Sequence, residues 1–152
     1  MIHKIIYLAS DHAGFNLKSR LKTWLGLRGY IVKDFGPVLY NKDDDYPDLI
    51  IPLARALAKA KDKGIKGIIL GKTGQGEAIV ANKIKGIRAV VCYKLNSSIL
   101  KLTREHNDAN ILSLAAGFLS EAEAKKAISI FLETKFLNAK RHNRRIQKFN
   151  KL

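Results

Sequence analysis

The sequence predicts an α/β fold in which a parallel β-sheet carries helices on both faces. Short apolar segments that suit buried strands alternate, along the whole chain, with segments whose apolar residues follow helical spacing. No internal repeat and no linker interrupts this alternation. At 152 residues the chain is long enough for one domain with a substantial core. We therefore expect a single domain spanning residues 1–152.

Five short apolar segments are predicted to be the strands of this sheet. They cover residues 5–9, 30–34, 68–70, 87–93 and 111–114. The N-terminal stretch MIHKIIYLAS is too short to span a membrane and lacks a small-residue cleavage site. We interpret it as leading into the first strand, not as a signal peptide, and expect a cytoplasmic protein.

The segments between the strands carry the start and stop signals of helices. Helical spacing runs from Phe15 to Gly29, from Asp48 to Gly64 and, after the glycine-rich turn, from about Gly76 to Gly86. Asn96 is predicted to cap the next helix, and Ser120 with Glu123 forms a capping box for a helix over 121–133. A basic helical tail is expected from about residue 138, because 135–152 contains seven Lys or Arg and no acid.

Composition limits the classes of partner and cofactor. The formal net charge is +15, from 28 Lys and Arg against 13 Asp and Glu, which raises the possibility of nucleic-acid binding. The basic residues are scattered, however, and the motifs of nucleic-acid-binding domains are absent, so a small anionic substrate is the better expectation. No apolar run is long enough for a membrane helix. The single Cys92 excludes an internal disulfide and suits a buried strand, and the four His residues lack metal-site spacing.

The stretch GIILGKTGQGEAIVANK, residues 67–83, reads as strand, tight turn and helix. Its glycines allow several backbone N–H groups to converge at a helix N-terminus, which suits an anion or a developing oxyanion. It is not a Walker A loop, which would need glycine where Lys66 stands, and Ile79 breaks the dinucleotide-binding pattern. A turn that only connects strand to helix remains the alternative.

Six ordered motifs carry a resemblance to a known family: SDHAG, DYPD, GxTGxGExIxANK, GIRA, REHNDAN and a late RHxRR. The chain resembles the type B ribose-5-phosphate isomerases of the ribose/galactose-phosphate isomerase family over nearly its whole length. The resemblance implies a Rossmann-like three-layer sandwich with a five-stranded parallel sheet, no metal or other cofactor, and a homodimer or tetramer with the site between subunits. It also implies interconversion of ribose 5-phosphate and ribulose 5-phosphate through a cis-enediolate. An allose or galactose 6-phosphate isomerase and a non-catalytic sugar-phosphate binder are the alternatives.

The resemblance assigns roles to residues of these motifs. Glu77 is the expected base, Asp11 and His106 are expected to transfer protons during ring opening, and the hydroxyl of Thr73 joins the loop amides in an anion hole. The residues expected to bind the substrate are the loop residues Gly71, Lys72, Gly74, Gln75 and Gly76, the phosphate ligands His12, Arg141 and Arg145, and the hydroxyl ligands Tyr46 and Asn107. Each of the polar side chains, taken alone, also has a purely structural interpretation, such as a helix cap for Asp11.

Two positions depart from the family pattern. Many members place a cysteine base where this chain has Gly71, and members without it carry a glutamate at the position of Glu77, so this departure indicates a subgroup. After the fifth strand the family has a phosphate-binding arginine where this chain has Gly117, and Lys72 or the basic tail is the possible substitute. Because ligands bind beyond the carboxyl ends of parallel strands, we expect Asp11, His12, the loop with Glu77 and the His106–Asn107 segment to lie together.

Overall fold

The strands form a single five-stranded sheet, and all neighbouring pairs are parallel. The structure is a computed structural model that describes residues 4–152; the first three residues of the predicted domain lie outside the described residues. The strands are β1 (Ile5–Ser10), β2 (Ile31–Asp34), β3 (Lys66–Gly71), β4 (Ala89–Cys92) and β5 (Ile111–Ala115), in the order β2-β1-β3-β5-β4. The predicted α/β class and five parallel strands are confirmed.

Within the described residues, six α-helices connect or follow the strands and cover both faces of the sheet. They are α1 (Phe15–Leu27), α2 (Tyr46–Lys59), α3 (Gln75–Ala81), α4 (Ser97–Glu105), α5 (Glu121–Glu133) and α6 (Lys140–Asn150). One hydrophobic cluster joins the sheet to α1, α4 and α5, and a second joins the opposite face to α2 and α3. The result is the expected three-layer sandwich.

Most predicted helix signals are confirmed, and the differences have local causes. The Asn96 cap and the Ser120–Glu123 capping box both form. Helix α2 begins two residues before the predicted Asp48, since Pro47 fits the first turn, where its missing N–H is not needed. Helix α3 ends at Ala81, well before Gly86, because the side chain of the next residue, Asn82, forms two hydrogen bonds with the main chain of Ala89.

The strand order creates a switch point between β1 and β3. The chain leaves β1 through α1 toward β2, and it returns through α2, on the other face, to β3. The connections therefore diverge beyond the carboxyl ends of these two central strands, which is where ligands bind in open α/β sheets. Ser10 pairs with Leu70 in the parallel register, so the residues that follow the two strands lie side by side.

None of the helices within residues 4–152 combines the length and the hydropathy needed to cross a lipid bilayer. Cys92 is buried at the end of β4, as the sequence predicts, and burial raises the pKa of its thiol. A raised pKa keeps the thiol protonated and unreactive at neutral pH.

Candidate active site

The glycine loop leaves the carboxyl end of β3 and is held against the end of β5. The amide of Ala116 donates to the carbonyl of Gly71 at 2.8 Å, and the amide of Gly117 donates to the carbonyl of Lys72 at 3.0 Å. Gly74 caps α3 in the left-handed region, with φ of 73°, and its carbonyl accepts a buried hydrogen bond of 2.7 Å from the hydroxyl of Ser113. The loop is therefore fixed by its carbonyl groups, which leaves its amides for other partners.

Several amides of this loop are free to bind an anion. Within residues 4–152, the backbone N–H groups of Thr73, Gly74 and Gly76 donate no hydrogen bond, and that of Gln75 donates only to the Thr73 hydroxyl, at 3.3 Å. Unpaired amides at a helix N-terminus are favourable ligands for negative charge. This arrangement has the chemistry of an anion hole.

Glu77, in the first turn of α3, is a buried carboxylate beside this loop. Its side chain is only 4% exposed, and a Cβ atom added to Gly71 would overlap its carboxylate group. Burial raises the pKa of Glu77, and the negative charge of Asp11 raises it further, while a hydrogen bond from its own backbone amide opposes the increase. A carboxylate with a raised pKa is a stronger base once it ionises.

Asp11 and His12 follow β1, which lies next to β3 at the switch point. Asp11 is 7% exposed, and its amide donates to the carbonyl of Leu70 at 3.3 Å. Its carboxylate accepts from the amides of Ala13 and Gly14 at 2.9 and 3.3 Å. The helix-cap interpretation of Asp11 is therefore correct, and the cap also fixes the carboxylate next to Glu77.

Tyr46 forms a wall beside the loop. A Cβ atom added to Gly76 would lie 2.7 Å from Cζ of the Tyr46 ring, so the two residues are in close contact. The ring is 37% exposed, which leaves part of it available to a ligand. Only glycine at position 76 permits this approach of the ring to the helix N-terminus.

The expectation that His106 and Asn107 lie beside the glycine loop in the same chain is wrong. Helix α4 starts beyond the carboxyl end of β4 and runs antiparallel to the strands. Its last turn therefore lies at the amino-terminal ends of the strands, where β5 begins. Gly67 pairs with Ile111 and Gly71 pairs with Ala115, so about 13 Å of strand separates the amino-terminal from the carboxyl-terminal ends of these strands. The reason is the antiparallel return of a crossover helix, which the rule about strand ends does not cover.

A second polar cluster lies at the amino-terminal ends of the strands and includes residues of the basic tail. The ring of His106 stacks on that of His142 in α6, with centroids 4.2 Å apart and planes at 18°. His142 is 3% exposed, and burial lowers its pKa, as do the nearby charges of His106, Arg141 and Arg145. Arg141 and Arg145 therefore lie with His106 and away from Glu77 of the same chain.

Two side chains of these clusters were not among the predicted site residues. Asp44 lies 2.6 Å from Nδ1 of His12, and its only sequence signal is the acidic run of residues 43–45. His142 stacks on His106, and its signal is its place inside the RHNRR motif. No group of three or more His, Cys, Asp or Glu in the described part of the chain is arranged to hold a metal ion.

Comparison with known proteins identifies the family. The model of the Ribose/Galactose Isomerase family matches residues 6–149. The chain belongs to this family. Ribose-5-phosphate isomerase B of Mycobacterium tuberculosis is 38% identical over 141 residues, which cover 93% of this chain and 85% of that protein. The probable ribose-5-phosphate isomerase B of Mycoplasma genitalium is 36% identical, with coverage of 94% and 91%.

Solved structures of ribose/galactose isomerases have the same fold. The ribose 5-phosphate isomerase of Thermotoga maritima superposes with a TM-score of 0.90, at 36% identity and 99% coverage of both chains. Ribose-5-phosphate isomerase B of Mycoplasma genitalium, solved with bound ribulose 5-phosphate, gives a TM-score of 0.89 at 35% identity, with coverage of 97% of this chain and 94% of that one. The family predicted from the six motifs is confirmed, whereas the roles of individual site residues stay predictions.

Proposed function

We propose that this chain interconverts ribose 5-phosphate and ribulose 5-phosphate. The observation that carries the proposal is the buried Glu77 carboxylate, whose pKa burial raises, beside a loop with free amides. The names of the family members and the ribulose 5-phosphate bound to one of them support this choice of sugar phosphate.

The proposed reaction uses Glu77 as the base. In the open-chain aldose the carboxylate removes the proton from C2, the electron pair forms the C1–C2 double bond, and the carbonyl oxygen at C1 becomes the enediolate oxygen. The amides of Thr73, Gly74 and Gly76 stabilise this developing negative charge. Glu77 then returns the proton to C1, the C2 hydroxyl loses its proton as the C2 carbonyl forms, and the C1 oxygen gains a proton to become the C1 hydroxyl of the ketose. We propose that Asp11 transfers this proton from the C2 oxygen to the C1 oxygen.

We further propose that a complete site contains residues from two copies of the chain. The family resemblance groups His106, Arg141 and Arg145 with Glu77, but within one chain at least a strand length, about 13 Å, separates them. In a symmetric pair, the carboxyl ends of the strands of each chain would lie beside the amino-terminal ends of the strands of the other chain. Two equal sites would then form.

Mixed oligomers test this shared site directly. Glu77→Gln and His106→Asn should each abolish most activity in a homo-oligomer. When differently tagged copies are co-expressed and the mixed pair is purified, one of its two sites contains both wild-type residues, so activity should return to about half of the wild-type value per pair. If the purified mixed pair stays as inactive as its parents, each chain forms its own site and the proposal of a shared site is wrong.

A coupled assay of ribulose 5-phosphate formation tests the function itself. Wild-type protein should turn over ribose 5-phosphate, and Glu77→Gln should lower kcat by about 10²–10⁴-fold with little change in substrate binding. Glu133→Gln is the matched control, because Glu133 is 63% exposed and its one ion pair in the described part of the chain is a 3.6 Å surface contact with Arg28. Binding of ribose 5-phosphate without turnover would instead indicate a non-catalytic binder, and faster turnover of allose or galactose 6-phosphate would indicate a hexose enzyme.

A further inference from the structure

His12 is fixed by a carboxylate that none of the family motifs includes. Its ring atom Nδ1 lies 2.6 Å from Oδ1 of Asp44, and its backbone amide donates to the same oxygen at 3.0 Å. One carboxylate oxygen thus holds both the main chain and the ring of His12. Two contacts from one group leave the ring little rotational freedom, and they turn its second nitrogen, Nε2, away from Asp44.

Asp44 depends on His12 for charge compensation. The Asp44 side chain is 10% exposed, and within residues 4–152 its oxygen Oδ2 is buried without a hydrogen-bond partner. His12 is also its only ion-pair partner in that part of the chain. Because a carboxylate removed from water needs an opposite charge, the protonated form of His12 is the form that fits this site.

The loop that carries Asp44 is anchored where it leaves β2. Lys18 of α1 is 2% exposed, and its ammonium group donates to Oδ1 of Asp34 at 2.8 Å and to the carbonyl of Pro37 at 2.9 Å. A buried lysine with two acceptors is a rigid attachment for the start of the segment that leads to Asp44. The start of this loop, at residues 34–37, is therefore held by the fold independently of His12.

Among the residues that the structure describes, the charged groups that act on His12 are all carboxylates: Asp11, which precedes it, and Asp43 and Asp44, which lie on the loop. The hydrogen bond from Asp44 raises the pKa of His12; slight burial opposes this, and the charges of Asp11, on the preceding turn, and of Asp43, on the loop, act in the same direction as Asp44. The His12 side chain is 37% exposed, so it is accessible to a ligand.

We propose that Asp44 is the positioning residue for His12 and holds its ring as an imidazolium whose Nε2–H binds the phosphate of the substrate. The identity of the ligand rests on the proposed isomerase function, whereas the state of His12 does not. A fixed cationic N–H donor binds a phosphate oxygen more strongly than a neutral, rotating ring does. Asp44 acts through His12 and does not touch the substrate.

Titration of the histidine rings by NMR tests the proposal without any turnover. In protein labelled with ¹⁵N-histidine, the signal of His12 is assigned by its loss in His12→Gln. Wild-type His12 should keep its proton to a higher pH than an ordinary histidine does, and Asp44→Asn should lose it at a lower pH than wild type. Asp43→Asn is the control, because Asp43 is 74% exposed and, among residues 4–152, forms an ion pair only with Lys42, so its effect should be much smaller.

Binding and kinetics supply the functional readout. At a pH between the His12 titration midpoints of Asp44→Asn and wild type, Asp44→Asn should raise the KM for ribose 5-phosphate, and the dissociation constant of inorganic phosphate, by about tenfold. At a pH below both midpoints, where His12 is protonated in both proteins, the increase should be below about threefold, and kcat should change little at either pH.

The proposal is overturned if His12 titrates alike in wild type and Asp44→Asn, or if the loss of phosphate affinity is the same at both pH values. Should Asp44→Asn fail to fold, the wild-type titration decides, since an ordinary or lowered pKa of His12 contradicts the proposal. If the wild-type protein shows no isomerase activity, the titration and the binding of inorganic phosphate still decide, because neither depends on turnover.

Discussion

Replacing Gly71 with alanine should inactivate the protein without unfolding it. The added Cβ atom would occupy the space that the Glu77 carboxylate fills, and it would overlap both carboxylate oxygens. The carboxylate is the end of a flexible side chain, so it can rotate away while the backbone of β3 stays in place. The position of Gly71 outside the left-handed region means that alanine introduces no backbone strain there.

The structure sets the size of both effects. Overpacking against a side chain that can move should cost at most about 1–3 kcal/mol of unfolding free energy. The displaced carboxylate would no longer reach the substrate carbon, so kcat should fall by about 10²–10⁴-fold, as expected for loss of a general base. The double variant Gly71→Ala/Glu77→Gln should be hardly slower than either single variant, because both changes remove the same group.

Steady-state kinetics and urea unfolding measure these two quantities. Gly26→Ala is the matched control: Gly26 lies inside α1 with no atom within 4 Å of an added Cβ, so alanine should raise stability by about 0.5–1 kcal/mol and leave kcat unchanged. Full activity of Gly71→Ala, or additive losses in the double variant, would refute the assignment of Glu77 as the base.

Three further predictions concern pH, the buried lysine and the phosphate. Because burial raises the pKa of Glu77, kcat/KM should increase with pH through a pKa above that of an ordinary glutamate; the folded state should also be stabler with this group protonated, so Glu77→Gln should raise Tm at pH 7. Burial raises the pKa of Asp34, but hydrogen bonds from Lys18, the Gly36 amide and Lys22 outweigh it, and the net pKa is lowered. Asp34 should therefore contribute stability above the unfolded-state pKa that is lost as pH falls through the lower folded-state value, and Asp34→Asn should cost about 2–4 kcal/mol near pH 7 in urea unfolding. Lys72→Gln should raise KM several-fold, by about 1 kcal/mol of binding, if Lys72 replaces the missing arginine, whereas Lys125→Gln on α5 should leave KM unchanged.

The fold could be predicted because its signals are local. Short apolar runs, period-3.6 apolar patterns, the capping box at Ser120 and the cap at Asn96 act within a few residues, and the strands, helices and caps that they predict appear in the structure. The end of α3 could not be predicted, since Asn82 ends it by bonding to Ala89, a residue seven positions later. Side-chain bonds of that kind leave no pattern in the sequence.

Only the part of the site at the carboxyl ends of the strands could be predicted. Asp11 and Glu77 follow β1 and β3 closely at the switch point, so the topological rule brings them together, whereas Tyr46 opens α2 and was expected only from the family resemblance. The rule fails for His106 because that residue ends a helix and not a strand. Its expected neighbour Glu77 lies at the carboxyl ends of the strands, a strand length away. No property of a single chain indicates which surface of a second copy would bring His106 to Glu77.

The contact between Gly71 and Glu77 gives a physical reason for the unusual glycine. A cysteine at position 71 would place its Cβ atom inside the Glu77 carboxylate, so in this geometry the chain holds one base or the other and not both. The missing side chain at 71 is therefore a requirement of the glutamate at 77. It follows that Gly71→Cys alone should lose activity as Gly71→Ala does, whereas Gly71→Cys combined with Glu77→Ala frees the space for a thiol. Partial recovery of turnover in the double variant, sensitive to a thiol-alkylating reagent, would support this exchange, and a double variant slower than Gly71→Cys alone would contradict it.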